Sequence, residues 1–150
     1  MLQPRCHTAL AVTVVMASEK QVQMKDLPDL PDAVQKTFKE QTKTAQLRGL
    51  AKEVEKGKTF CEAETTVNGK SRDILIDPAG AVVEVEEEVS LDSIPEAAQK
   101  TIRTRAGSGK ILKVESVTEG LVVSYEAVIQ KGIRKSGVAV NADGTMKKKD

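Results

Sequence analysis

Apolar residues recur along this chain with two different periods. Leu30, Ala33, Val34 and Phe38 stand three or four apart, as do Ile94, Ala97, Ala98 and Ile102, which predicts two short helices, each burying one stripe. Asp29 and Ser93 precede them as N-cap candidates, with Asp32 and Glu96 three residues later, so Ser93-x-x-Glu96 reads as a capping box. Pro31 and Pro95 fall in the first turn, where no intrahelical donor is lost. Elsewhere the period shortens to two. Cys61, Ala63, Thr65 and Val67 share one face of a strand over 59–67, and the stretches 110–118 and 121–129, separated by Gly120, are rich in β-branched residues.

Sliding the chain against itself by 64 positions lays residues 27–38 over 91–102 with six identities: Leu27, Pro31, Ala33, Gln35, Lys36 and Thr37 meet their own kind. The same offset superposes Glu62-Ala63 on Glu126-Ala127, Ile74 and Ile76 on Val138 and Val140, and Gly80 on Gly144. The chain therefore reads as two copies of one unit. This reading decides residues 45–55, which have helical propensity: with a one-residue shift Ala51, Val54 and Gly57 align with Val114, Val117 and Gly120, so a strand is expected there.

Turns punctuate the rest. Asn68-Gly69 is a two-residue hairpin signal leading into a strand over 72–77. Asp77-Pro78-Ala79-Gly80 and Asn141-Ala142-Asp143-Gly144 are matching four-residue turns, each followed by a final strand, 81–89 in one copy and from Thr145 onward in the other. The expected fold is α+β: two tandem repeats, 27–89 and 90–150, each a helix packed on an antiparallel meander of about four strands. Glu84 then overlies Lys148 and Val82 overlies Met146, so the two last strands carry opposite charge and would pair if a pseudo-twofold axis set them side by side.

Location comes from the N-terminus. Residues 1–17 hold Arg5, an apolar run over 9–17 and no acidic residue, the pattern of a signal peptide cleaved before Ser18, with 18–26 as a linker. The run is too short to span a bilayer. Cleavage changes the inventory, because it removes His7, the one histidine, together with Cys6 and Arg5. The mature chain then carries 22 basic and 22 acidic residues, with no global field for nucleic acid. Without histidine, and with Cys61 alone, neither a histidine-activated nucleophile nor an ordinary zinc site can be assembled. No catalytic, cofactor-binding or metal-binding residue is assigned, and no enzyme is expected. The three aromatic residues, Phe38, Phe60 and Tyr125, are too few for a stacking platform.

The helix opening with Leu-Pro-x-Ala-Val, the strand ending in Gly, Tyr125-Glu126 and its counterpart Cys61-Glu62, the Asn-Gly turn and the Asp/Asn-x-x-Gly turns together resemble the PepSY-like, β-lactamase-inhibitor-like domains of exported bacterial proteins. The resemblance spans about residues 27–150 and departs where Cys61 replaces the usual aromatic. It implies a periplasmic or secreted binding module that presents an open sheet to a peptidase or another envelope protein, with no nucleic-acid partner and no membrane insertion after cleavage. The alternative is a small-molecule or lipid carrier, which needs an apolar cleft between helix and sheet.

Four other features have a chemical and a structural reading. Residues 106–110, AGSGK, lack the first Gly and the final hydroxyl of a phosphate loop and read as a connection between helix and strand. Glu84, Glu86, Glu87 and Glu88 lack the ligand spacing of a calcium loop and read as a solvated strand end and linker. Lys147, Lys148 and Lys149 read as charge protecting an edge strand rather than a lipid contact. Cys61 reads as a buried structural thiol, set against a reactive or cross-linking one.

Overall fold

The computed structural model describes Val22–Gln23, residues 30–55 and residues 57–148. The expected signal peptide, its expected cleavage site and Asp29 lie outside these residues. A two-residue strand β1 (Val22–Gln23) is followed by helix α1 (Asp32–Gln41) and strands β2 (Gln46–Glu55), β3 (Lys58–Val67), β4 (Lys70–Ile76) and β5 (Val82–Glu88). A 3₁₀ turn at Leu91–Ser93 then leads into helix α2 (Glu96–Ala106) and strands β6 (Lys110–Glu119), β7 (Val122–Lys131) and β8 (Arg134–Asn141). The strands form one antiparallel sheet in chain order, β1 to β8, so the class is α+β. Within the stretch read as a linker, Val22 and Gln23 pair with Lys52 and Ala51.

Both helices lie on the same face of the sheet. Leu30, Val34 and Phe38 pack on Leu50, Cys61, Ala63, Ile74 and Ile76. Ile94, Ala98 and Ile102 pack on Val114, Ala127 and Val140. Ala33 and Ala97, placed in the stripe by periodicity, are exposed. They still matter, because their carbonyl oxygens lie only 2.6 Å from where a Cβ on Gly80 and Gly144 would stand. With φ of +87° and +83°, these two glycines close the four-residue turns directly against the helices. Thr37 and Thr101 donate their hydroxyls to the carbonyls of Gly80 and Gly144, fastening each turn to its helix.

The expected helix caps differ from those observed. Pro31 and Pro95, with ψ of 144° and 139°, occupy the N-cap positions, and neither makes a side-chain cap. Their extended ψ starts each helix two residues later than the expected caps. Gln35 and Gln99 instead donate back to the carbonyls of Leu30 and Ile94, 2.9 Å in each case. Ser93 ends the 3₁₀ turn, its hydroxyl donating to the carbonyl of Ser90 at 2.7 Å.

Residues 46–55 form a strand despite their helical propensity. The one-residue shift is corrected: Leu50 pairs with Ala63 as Val114 pairs with Ala127, and register irregularities at Leu47/Gly49 and Ile111/Lys113 again stand 64 apart. The glycines misled the alignment because β2–β3 turns with Gly57 just before β3, whereas β6–β7 turns with Gly120 just after β6. The last strand is also corrected. Beyond Gly144 the described residues make one bridge, Met146 to Val140, while the corresponding 82–88 is a full strand. That strand pairs with β4 and β6, so the two last segments are not neighbours.

Candidate functional site

Alternation sends every second strand residue away from the helices, and on this opposite face carboxylates dominate. Glu53 comes from β2, Glu62 and Glu64 from β3, Asp73 from β4, Glu84, Glu86 and Glu88 from β5, Glu115 and Glu119 from β6, and Glu126 from β7. Register places several opposite one another: Glu64 faces Asp73, Asp73 faces Glu86, Glu84 faces Glu119 and Glu115 faces Glu126. Like charges directly across a ladder repel. The long stems nevertheless shield one another, leaving Glu62, Glu64, Asp73, Glu86 and Glu115 buried.

Basic side chains offset part of this charge. Arg48, at the irregularity in β2, donates to Asp73 Oδ1 at 2.7 Å and to the Thr65 carbonyl at 3.1 Å. Thr65 N–H also donates to Asp73 Oδ1 at 3.1 Å. Lys113 pairs with Glu115, and Lys147 reaches Glu119 at 3.1 Å. Glu84 and Glu86, in the middle of the row, are balanced mainly by protons. Burial, then the hydrogen bond and charge of Glu119, pushes Glu84 up to about 8. Burial, then the charges of Glu84, Glu115 and Glu126, pushes Glu86 up to about 10.

Asp73, Glu86 and Glu115 bring carboxylate oxygens within 4.8 Å of one another. Arg48 and Lys113 already match the charges of Asp73 and Glu115, and Glu86 is protonated at neutral pH. The donor set is thus close to neutral as it stands, which is poor chemistry for a hard cation that prefers several free anionic oxygens.

At the end of this face where β3 starts and β4 finishes, an open cleft of about 620 Å³ lies between Phe60, Leu75, Pro78 and Val83. Lys58, Thr59, Asp77, Glu84 and Glu119 complete its lining. Beside it the β6–β7 turn presents Leu121 and Val122, both well exposed to solvent. The cleft has the size and mixed lining of a ligand site: apolar walls with a few convergent polar groups.

The features singled out from the sequence fall in different places. The acidic run is corrected, since Glu84 and Glu86 belong to a central strand and not to a solvated linker. Residues 107–109 do form the connection from α2 to β6. Lys147 backs the edge, its N–H donating to the Ala139 carbonyl, and sends its ammonium to Glu119. Cys61 is buried on the helix face, and burial raises its thiol above the ordinary value. The carboxylate face went unread because alternation marks a residue as facing away from the core but not which strands lie side by side. Its signal was glutamate at 84, 86 and 88, at 62 and 64, and at 115 and 119, an even spacing that puts each set on one face of its strand.

No helix among the described residues is long and apolar enough to cross a membrane. No protein-family model and no curated protein matches the sequence. Solved structures do share the fold. A candidate periplasmic protein of Bacteroides eggerthii is similar with a TM-score of 0.64 and 20% identity, over 79% of this chain and 86% of that one. A DUF2874 family protein of Bacteroides ovatus gives 0.60 and 19%, over 79% and 85%. A BLIP-like protein of Bacteroides fragilis gives 0.57 and 14%, over 79% and 84%. The α+β architecture is therefore BLIP-like.

Proposed function

We propose that this chain is an exported, periplasmic, non-enzymatic binding module of the PepSY-like, β-lactamase-inhibitor-like kind, built from two tandem copies, and that it binds or regulates a peptidase or another envelope protein through the sheet face opposite its helices. The observation that carries this reading is the crowded carboxylate face. Both helices pack on the other side, so neither covers this face, and its carboxylate-rich surface is open to a partner. Likeness in fold to BLIP-like and candidate periplasmic proteins supports the same reading. The carrier alternative needs an apolar cleft between helix and sheet, and there Val34, Phe38, Ala98 and Ile102 are 3% exposed or less.

Site-specific photo-crosslinking in the cell envelope tests it. A benzoylphenylalanine at Val122 or Lys135, on the sheet face, is expected to give a discrete adduct with one envelope protein, while the same probe at Lys39 or Arg105, exposed on the helices, gives none. Adducts from the helix positions alone, or from no position, overturn the proposal.

A further inference from the structure

Charge is segregated in the second half of the chain. Residues 97–114 and 127–142 hold eight basic residues and no acidic one, so a chain of formal charge +1 is negative over the rest of its length. The fold brings the ends of these two stretches together. Strand register sets Lys110 and Lys135 on either side of Gln130, on the face away from the helices, and Lys131 directly opposite Arg134, on the helix face. The Lys131 stem packs over Gly109, four residues beyond Arg105 in the last turn of α2. Like charges opposed across a ladder repel. Arg103 and Lys113 are matched by Asp92 and Glu115, but Arg105, Lys110, Lys131, Arg134 and Lys135 form no ion pair with any described residue. The positive charge at this end of the sheet is unanswered among the described residues. At its apex β7 and β8 join through Gly132, with φ of +60°, and Ile133. A two-residue hairpin turn favours glycine and small polar residues, yet Ile133 occupies its second position and is 100% exposed. No contact within the fold accounts for an aliphatic side chain there.

We infer that the β7–β8 hairpin adsorbs to an anionic phospholipid surface, with Ile133 entering at headgroup depth and Lys110, Lys131, Arg134 and Lys135 among the lipid phosphates. Cations on both faces of the hairpin surround one apolar apex, and this convex arrangement fits a soft, flat, negatively charged surface. A fully exposed apex has no protein wall beside it to form a groove for a peptide, whereas a lipid surface takes it in from every side. The attraction is additive, each lysine or arginine near such a surface raising affinity about fivefold. The carboxylates lie further along the strands, beginning at Glu115 on β6 and Glu126 on β7, so an anionic surface draws the hairpin in and repels the rest. Approach is therefore tip-first. Leu121 and the cleft beside it, at the other end of β6 and β7, point away from the lipid. Adsorption of this kind spans nothing and does not depend on the sheet-face reading.

Co-sedimentation with sucrose-loaded vesicles tests it, using the protein as recovered from the cell envelope. Vesicles of phosphatidylglycerol and phosphatidylcholine in equal parts are expected to bind at least about tenfold more tightly than pure phosphatidylcholine at low salt, and the difference to vanish at 1 M salt. Lys131→Gln combined with Arg134→Gln removes a repulsion, so that variant folds; it should weaken binding about thirtyfold. Lys36→Gln combined with Lys39→Gln, exposed on α1, should change it less than about twofold. The chain has no tryptophan, so Ile133→Trp places a single reporter at the apex, whose emission should shift to the blue on the anionic vesicles while that of Leu121→Trp does not. No preference for the anionic vesicles, equal weakening by the two double variants, or an unshifted Ile133→Trp overturns the inference. If acetyl-octaglutamate-amide binds with the same dependence on Lys131 and Arg134 while vesicles leave Ile133→Trp unshifted, the patch belongs to an acidic polypeptide and the lipid inference fails. Crosslinks at Val122 that persist in the Lys131→Gln, Arg134→Gln protein leave the sheet-face reading standing whichever way the vesicles fall, and their absence overturns that reading alone.

Discussion

The two faces of this sheet are built from the same strands and solve opposite problems. Ile74 and Leu75 are adjacent in β4, yet Ile74 is sealed beneath α1 with Ile76 and Phe38, whereas Leu75 lies between Glu62 and Glu84 on neighbouring strands. On the helix face the two packed clusters beneath the helices are apolar, and their burial stabilises without conditions. On the opposite face, burial of carboxylates stabilises only as far as Arg48, Lys113, Lys147 or a proton supplies the missing positive charge. One face holds the protein together, while the other carries a conditional cost, and the proposed binding face is the second of these.

Three experiments break or sharpen this contrast. The largest effect is expected from Ile74→Ala, a loss of about 2–5 kcal/mol in urea unfolding, against about 1 kcal/mol for the half-buried Leu75→Ala. Equal losses would mean that the faces contribute alike. Next comes Glu86→Gln. A carboxyl that binds its proton more tightly when folded stabilises the fold most at low pH and loses that contribution as pH climbs from its ordinary 4.5 toward about 10. Thermal unfolding of the native protein should therefore weaken between pH 5 and pH 9. Glu86→Gln should be more stable than the parent at pH 9 by more than about 1 kcal/mol and should vary less with pH; a parent whose stability rises over that range would contradict the picture. The smallest effect is that of Lys147→Gln, below about 0.5 kcal/mol for a partly exposed pair, and absent at 1 M salt. A salt-independent change of the same size would show that Lys147 acts through packing rather than charge.

How much of this was readable from the chain depends on range. Local chemistry was readable: the helix stripes apart from Ala33 and Ala97, Asn68-Gly69 with its positive φ at both residues, and the four-residue turns closed by Gly80 and Gly144 lie where their residue types place them. The strand over 46–55 was recovered against its own propensity by comparison with the second half. What escaped was long-range. Nothing local tells Glu84 that its neighbour is Glu119 on the far side of α2, so the acidic run passed for a linker. Nothing local distinguishes Met146, which makes a single bridge, from Val82, which opens a full strand. That difference lies in the pairing partner, since β5 has β6 to join and the last segment has only β8.

The strict chain order of the sheet bears on assembly as the protein is made. Each strand after β1 adds to an edge formed by the strand just before it, and no strand is inserted later between two that are already paired. Contacts therefore close over short loops, apart from the two spans bridged by helices, a topology that favours rapid folding. Growth can run from one edge to the other in the order of synthesis, and the last carboxylate-bearing strand, β7, joins a platform that the first five have already laid down.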